Sequence, residues 1–137
     1  MFRPFALVLS LALTVPASAL ACSCDSGMWN SADQARASVD AIFVGVPASD
    51  SEVFNGMNRT RFSVISNLKN TNYKAVNLYT RIPSGANCGI GFYRDGGVMV
   101  VLAGRQNGRY LATACGVRAL SSSSWMATFL RELKGTP

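Results

Sequence analysis

The residues best suited to chemistry in this chain are its four cysteines. Two stand almost side by side in Cys22-Ser23-Cys24, and the others, Cys88 and Cys115, lie far downstream. A cysteine can serve as a nucleophile, a thiolate metal ligand or a disulfide partner. Nucleophilic catalysis needs a base, and the sequence contains no histidine. Its absence removes Ser-His-Asp and Cys-His catalysis, histidine zinc sites and histidine pH switches. The seven carboxylates are scattered and no phosphate-cradling loop is present. The chain is therefore not expected to be an enzyme, nor to carry an intrinsic metal or a cofactor. A CxC store for copper or zinc is disfavoured, because it needs thiolates and the two distant cysteines offer disulfide partners instead. Four cysteines allow three pairings. The simplest arrangement ties the segment around Cys22 and Cys24 down onto the body of the fold.

The surroundings of that segment indicate export. Met1-Phe2-Arg3 supplies a positive charge, Phe5 to Val15 is an apolar run too short to span a bilayer, and Pro16 to Ala21 is rich in small residues. This pattern reads as a secretory signal over residues 1–21, leaving one domain over 22–137. Two cuts suit a signal peptidase. One follows Ala19; the other follows Ala21 and makes Cys22 the first residue of the mature chain. Ala19-Leu20-Ala21-Cys22 also loosely resembles a lipobox, which gives a lipid-anchored alternative in which a thioether on Cys22 forbids its disulfide. No other stretch is long enough to cross a membrane. The expected location is extracellular or periplasmic, where disulfides persist.

The elements that must position these cysteines follow from local pattern. Ser31-Ala32-Asp33-Gln34 has the form of a capping box and starts a helix to about Ser38. Ala41 to Pro47 is β-branched and aromatic and closes on a proline, with Gly45 marking a bulge. Ala48 to Asn58 is polar and holds Asn55-Gly56, a loop or hairpin turn. Thr60 to Leu68 alternates as a half-buried strand, and Val76, Leu78, Thr80 and Ile82 alternate again before Pro83. Val98 to Ala103 is continuously apolar, so it is expected to be buried on both faces. Gln106-Asn107-Gly108 turns it back into a strand over Tyr110 to Cys115. Ser121 to Ser124 offer caps for a last helix whose stripe of Trp125, Met126, Phe129, Leu130 and Leu133 reads as core packing rather than a self-association face, with Gly135 as its stop. Asn58-Arg59-Thr60 has the form of a glycosylation sequon. Five short strands with turns between them predict an all-β domain with minor helices: a five-stranded Greek-key OB-fold barrel with a short N-terminal helix, a C-terminal helix and a disulfide-stapled N-terminus. A monomer is expected.

At this point four segments, in order, resemble one family. Cys22-Ser23-Cys24, Ala41-Ile42-Phe43-Val44-Gly45, Cys88-Gly89 followed by Phe92 and Tyr93, and Leu111-Ala112-Thr113-Ala114-Cys115 are similar to the N-terminal, netrin-like domain of the tissue inhibitors of metalloproteinases, as a bacterial-type single-domain relative. The resemblance spans nearly the whole mature chain. The family's third disulfide in this domain has no counterpart here, and its long loop between the first two strands is reduced to Ala48–Asn58. The resemblance implies the pairs Cys22–Cys88 and Cys24–Cys115. It also implies a function: the amine and carbonyl of Cys22 chelate the catalytic zinc of a target metalloprotease in trans, while Ser23 enters the protease's main specificity pocket.

The alternative is a non-inhibitory netrin-like module, or an envelope lipoprotein, in which CxC is only a staple. A third class follows from the net charge of +6. Such a balance fits nucleic acid, an anionic surface or an acidic protein. Arg59, Arg61, Tyr73, Lys74, Tyr79 and Arg81 would supply the basic groove with aromatic platforms that an oligonucleotide needs. Because the basic residues are scattered along the chain and the destination holds little nucleic acid, no nucleic-acid partner is expected.

Overall fold

The fold is seen in a computed structural model that describes residues 22, 24, 27–85 and 87–135. The signal segment, with both candidate cleavage sites, lies outside the described residues, as does Ser23. Helix α1 (Ala32–Ser38) leads into β1 (Ala41–Pro47), β2 (Glu52–Phe54), β3 (Met57–Lys69), β4 (Ala75–Thr80), β5 (Met99–Gln106) and β6 (Arg109–Ala112). A 3-10 turn (Ala114–Gly116), β7 (Val117–Ala119) and α2 (Ser124–Gly135) complete the chain. Strands β1, β3, β4, β6 and β5 follow one another around a ring that closes when β1 pairs with β5. The β4–β6 pairing is parallel and the others are antiparallel. This is the five-stranded OB-fold barrel with its two helices. The two remaining strands lie outside the ring: β2 makes a hairpin with β3, and β7 adds to the edge of β5.

The apolar pattern explains why β1 and β5 are so strongly hydrophobic. Alternate residues of both strands face two different cores. Phe43, Val101 and Ala103 point into the barrel with Phe62, Leu78, Phe92 and Tyr110. Ile42, Val44, Val100 and Leu102 point outward under a second layer made by Trp29, α1 and the Met126, Phe129 and Leu133 face of α2. Trp125 is 40% exposed at the margin of that layer. A small barrel closes only if strands coil strongly, and β1 does so through two register shifts, one of them at Val44/Gly45. A Cβ at Gly45 would lie 2.7 Å from the Ser63 carbonyl oxygen, so the close approach of β3 at the bulge requires glycine there.

The helix ends are tied to their neighbours by side chains. Ser31 caps α1 through the Gln34 amide at 3.1 Å. Lys69 Nζ, at the end of β3, donates to the carbonyls of Arg36 (2.6 Å) and Val39 (2.7 Å). Arg36 in turn donates to the carbonyls of Glu132 and Leu133 at 2.8 and 2.9 Å. Each cation satisfies carbonyls that a helix end leaves without intrahelical partners and lies at the negative pole of the helix dipole.

Strand boundaries differ from the sequence reading: β4 stops at Thr80 short of Ile82, β5 runs on to Gln106, β7 is an unexpected addition, and three further changes have local causes. The loop over Ala48–Asn58 contains β2, with Asn55-Gly56 as its hairpin turn at positive φ (49° and 78°). Strand β3 begins at Met57, earlier than Thr60, because pairing with β2 recruits its polar start. The strand expected to run to Cys115 stops at Ala112, where the Thr113 side chain takes the Cys115 amide and starts the 3-10 turn. The sequon does not present a free amide: Asn58 is 7% exposed and donates inward to the Ile90 carbonyl.

Candidate functional site

Two disulfides join the first described residues to the barrel. Cys22 is bonded to Cys88 and Cys24 to Cys115, with Cα–Cα separations of 5.2 and 5.1 Å. The two bridges lie against each other, the Cys22 and Cys115 sulfurs being 3.5 Å apart. The Sγ atoms of Cys22, Cys88 and Cys115 all fall within 4.8 Å of one another, a spacing that thiolates could use for a metal. Every cysteine is oxidised, so none has a thiolate to offer and the cluster is a covalent clasp.

Both distal halves of the clasp are held by backbone geometry. Cys88 adopts φ 56°, in the left-handed region, and is followed by Gly89. A Cβ on Gly89 would stand 2.6 Å from the Arg81 carbonyl oxygen, so this stretch must run hard against the end of β4. The Cys88 carbonyl accepts the Ala114 amide at 2.9 Å, which couples the segment carrying one distal cysteine to the segment carrying the other. On the far side, the Trp29 indole donates to the Cys115 carbonyl at 2.6 Å. Trp29 is itself packed on Phe129, and the Arg118 guanidinium lies 4.7 Å from its ring and 5.2 Å from that of Trp125.

The loop before Cys88 is organised by one side chain. Asn87 Oδ1 accepts the amides of Ser84 (3.2 Å) and Gly89 (2.9 Å), while its Nδ2 donates to the Ile82 carbonyl at 2.7 Å. The segment after Cys88 is pinned across β3 and β4. Thr80 Oγ1 donates to the Ile90 carbonyl at 2.6 Å, and Ser51 Oγ accepts the Phe92 amide at 2.7 Å. Cys22 is half-buried and Cys24 exposed, so the clasp stands at a rim of the barrel with a rigid loop beside it. Neither Trp29 nor Asn87 was singled out in the sequence. An Asn two residues before a Gly, after Ser84-Gly85, is a local turn signal that would have found Asn87. Nothing local marks Trp29 as the partner of a carbonyl 86 residues away.

Of the residues considered for a basic groove, Tyr73 and Lys74 lie exposed ahead of β4, and the other four gather on one face. Arg59 stands opposite Tyr79 and Arg61 opposite Asn77 on the paired strands β3 and β4, and Arg81 follows Tyr79 at the same period. These share the outer face of the barrel. They are joined there by Phe54 of β2 and Arg109 of β6, which the sequence did not connect to them. Arg59 lies 3.9 Å from the Phe54 ring centroid and Arg109 lies 4.8 Å from that of Tyr79. Tyr73 borders the group, beside Tyr79 and Arg109. Arg59 pairs with Glu52 at 2.6 Å, and hydrogen bonds to Glu52 and then to Tyr79 hold its already high pKa further up.

No family model and no curated protein matches this chain. Among the described residues, no helix is long and apolar enough to cross a membrane.

Proposed function

We propose that the chain is an exported relative of the tissue inhibitors of metalloproteinases. In this reading its mature N-terminus, Cys22, caps the catalytic zinc of a target protease. The observation that carries the reading is the double clasp: Cys22 and Cys24 bonded to two barrel segments that are themselves joined through the Cys88 carbonyl and the Ala114 amide. A catalytic zinc keeps one coordination position open for water. The α-amine and carbonyl oxygen of a first residue form a five-membered chelate that displaces that water. Immobilising the chelate beforehand avoids the entropy that a free terminus would lose on binding, which is the physical use of a clasp at this place. Ser23 enters the protease's main specificity pocket, and the Asn87-braced loop lies beside the point of contact.

The disulfides fit an oxidising compartment, extracellular or periplasmic. In this reading the Cys22 sulfur is committed to Cys88 and carries no lipid thioether. The amine donates only when neutral. Capping therefore strengthens as pH rises through the ordinary α-amine range of about 7.7–8.0 and weakens below it.

The test is an inhibition assay over a panel of zinc proteases, comparing protein that begins at Cys22 with protein carrying one alanine before it. The extension turns the amine into an amide without touching the clasp. Inhibition by the first form and its loss in the second is the expected result. Inhibition that survives the extension rules out the chelate, and a folded Cys22 form that inhibits no zinc protease favours the staple-only module.

A further inference from the structure

The clasp holds a chemistry that zinc capping does not use. Its two disulfides lie in contact: the Cys22 and Cys115 sulfurs are 3.5 Å apart although they belong to different bridges. The Cys88 sulfur lies within 4.8 Å of both. A disulfide is opened by a thiolate, which bonds to one sulfur and expels the other as a new thiolate. A thiolate expelled beside a second disulfide is already placed to repeat the step.

Exposure decides where an outside thiolate enters. Cys24 is exposed, whereas Cys22, Cys88 and Cys115 are half-buried. Attack at Cys24 expels Cys115. Two contacts hold Cys115 in place once its bridge is open. The Trp29 indole donates to the Cys115 carbonyl at 2.6 Å, and the neighbouring Ala114 amide donates to the Cys88 carbonyl at 2.9 Å. Neither contact involves a sulfur, so both outlast the bridge and keep the freed sulfur beside Cys22–Cys88.

We infer that the clasp is a thiol-acceptor site: a small monothiol is captured at Cys24, and the break it makes is passed from Cys115 to Cys88, so that Cys22 keeps a bridge throughout. In the first step the outside thiolate bonds to Cys24 Sγ, the Cys24–Cys115 bond breaks and its electron pair leaves on Cys115. In the second, Cys115 bonds to Cys22 Sγ, the Cys22–Cys88 bond breaks and the pair leaves on Cys88. The Cys88 thiolate takes from water the proton that the monothiol gave up. Two S–S bonds and one thiol stand on each side, so nothing is oxidised or reduced overall. The second step exchanges one protein disulfide for another, so both forms are populated. A monothiol has no second sulfur with which to resolve the adduct, and it stays on Cys24. An oxidising compartment preserves such bridges yet still exchanges them with the thiols it contains.

The probe is glutathione. Folded protein with both bridges formed is treated with an equimolar amount, quenched with acid, alkylated with a maleimide and mapped by peptide mass spectrometry. Glutathione is expected on Cys24, with maleimide divided between Cys115 and Cys88 and none on Cys22. The form labelled at Cys88 should contain a new Cys22–Cys115 bridge. Cys24→Ser produces the freed sulfur with no added thiol, and its label should divide between Cys115 and Cys88 in the same way. Absence of an adduct, glutathione on another cysteine, label confined to Cys115 or label on Cys22 would each overturn the inference. An alanine before Cys22 leaves all of these sulfurs in place, so protein with or without it serves, and the outcome is separate from that of the protease assay.

Discussion

Asn87 braces the loop beside Cys88 with one side chain, and its three hydrogen bonds leave little redundancy. The residue is only half-buried, so water can replace part of what it supplies. Asn87→Ala is expected to cost about 1–2 kcal/mol in a denaturant titration. The same variant should raise hydrogen exchange selectively at the Ser84 and Gly89 amides, and unchanged exchange there would show that the brace is not needed. At this scale the sequence was only partly readable. The cysteines announced themselves through count and spacing, and the Asn55-Gly56 and Asn107-Gly108 turns through residue type. The Trp29–Cys115 bond joins positions 86 residues apart and had no local signature. Ser23, which the zinc-capping reading assigns to the specificity pocket, lies outside the described residues.

Among the elements, β1 sustains both barrel closure and the helix layer, because it pairs with β3 and β5 and buries both faces. Its bulge depends on the missing side chain at Gly45. Gly45→Ala forces a Cβ into the Ser63 carbonyl and should lower stability by about 1–3 kcal/mol, read from the thermal or denaturant midpoint. A neutral result would mean that β3 can move away at this point. The principal strands were legible for a physical reason: a strand with one buried face alternates, as β3 and β4 do, and one buried on both faces is continuously apolar, as β5 is. Strands β2 and β7 were not legible. Each has three residues at the margin of the sheet, and Val53 is 69% exposed, so burial imposes no pattern on them. The arginine face was half legible. Alternation along β3 and β4 aligned Arg59, Arg61 and Arg81, but Arg109 joins them only through the parallel β4–β6 pairing, which no local pattern encodes.

For the whole molecule, the clasp converts two long sequence separations, 66 and 91 residues, into fixed contacts. In the chain-entropy description, closing a loop of the larger size restricts the unfolded state by about 4 kcal/mol. Replacing Cys24 and Cys115 together by serine should lower unfolding stability by about that amount, a large part of the usual margin of a domain this size. A midpoint that does not move would mean that the Trp29 and Ala114 hydrogen bonds already hold the segment. The zinc-capping proposal asks more of the clasp than stability: it asks that the immobilised residue be the first one and that its amine be bare. N-terminal sequencing combined with intact mass of the exported protein measures this directly. The account predicts a chain that starts at Cys22, unacylated, with the hydrogens of all four cysteine thiols missing from its mass. A chain that starts at Leu20, carries an acyl group, or retains a reduced thiol at Cys22 would contradict it.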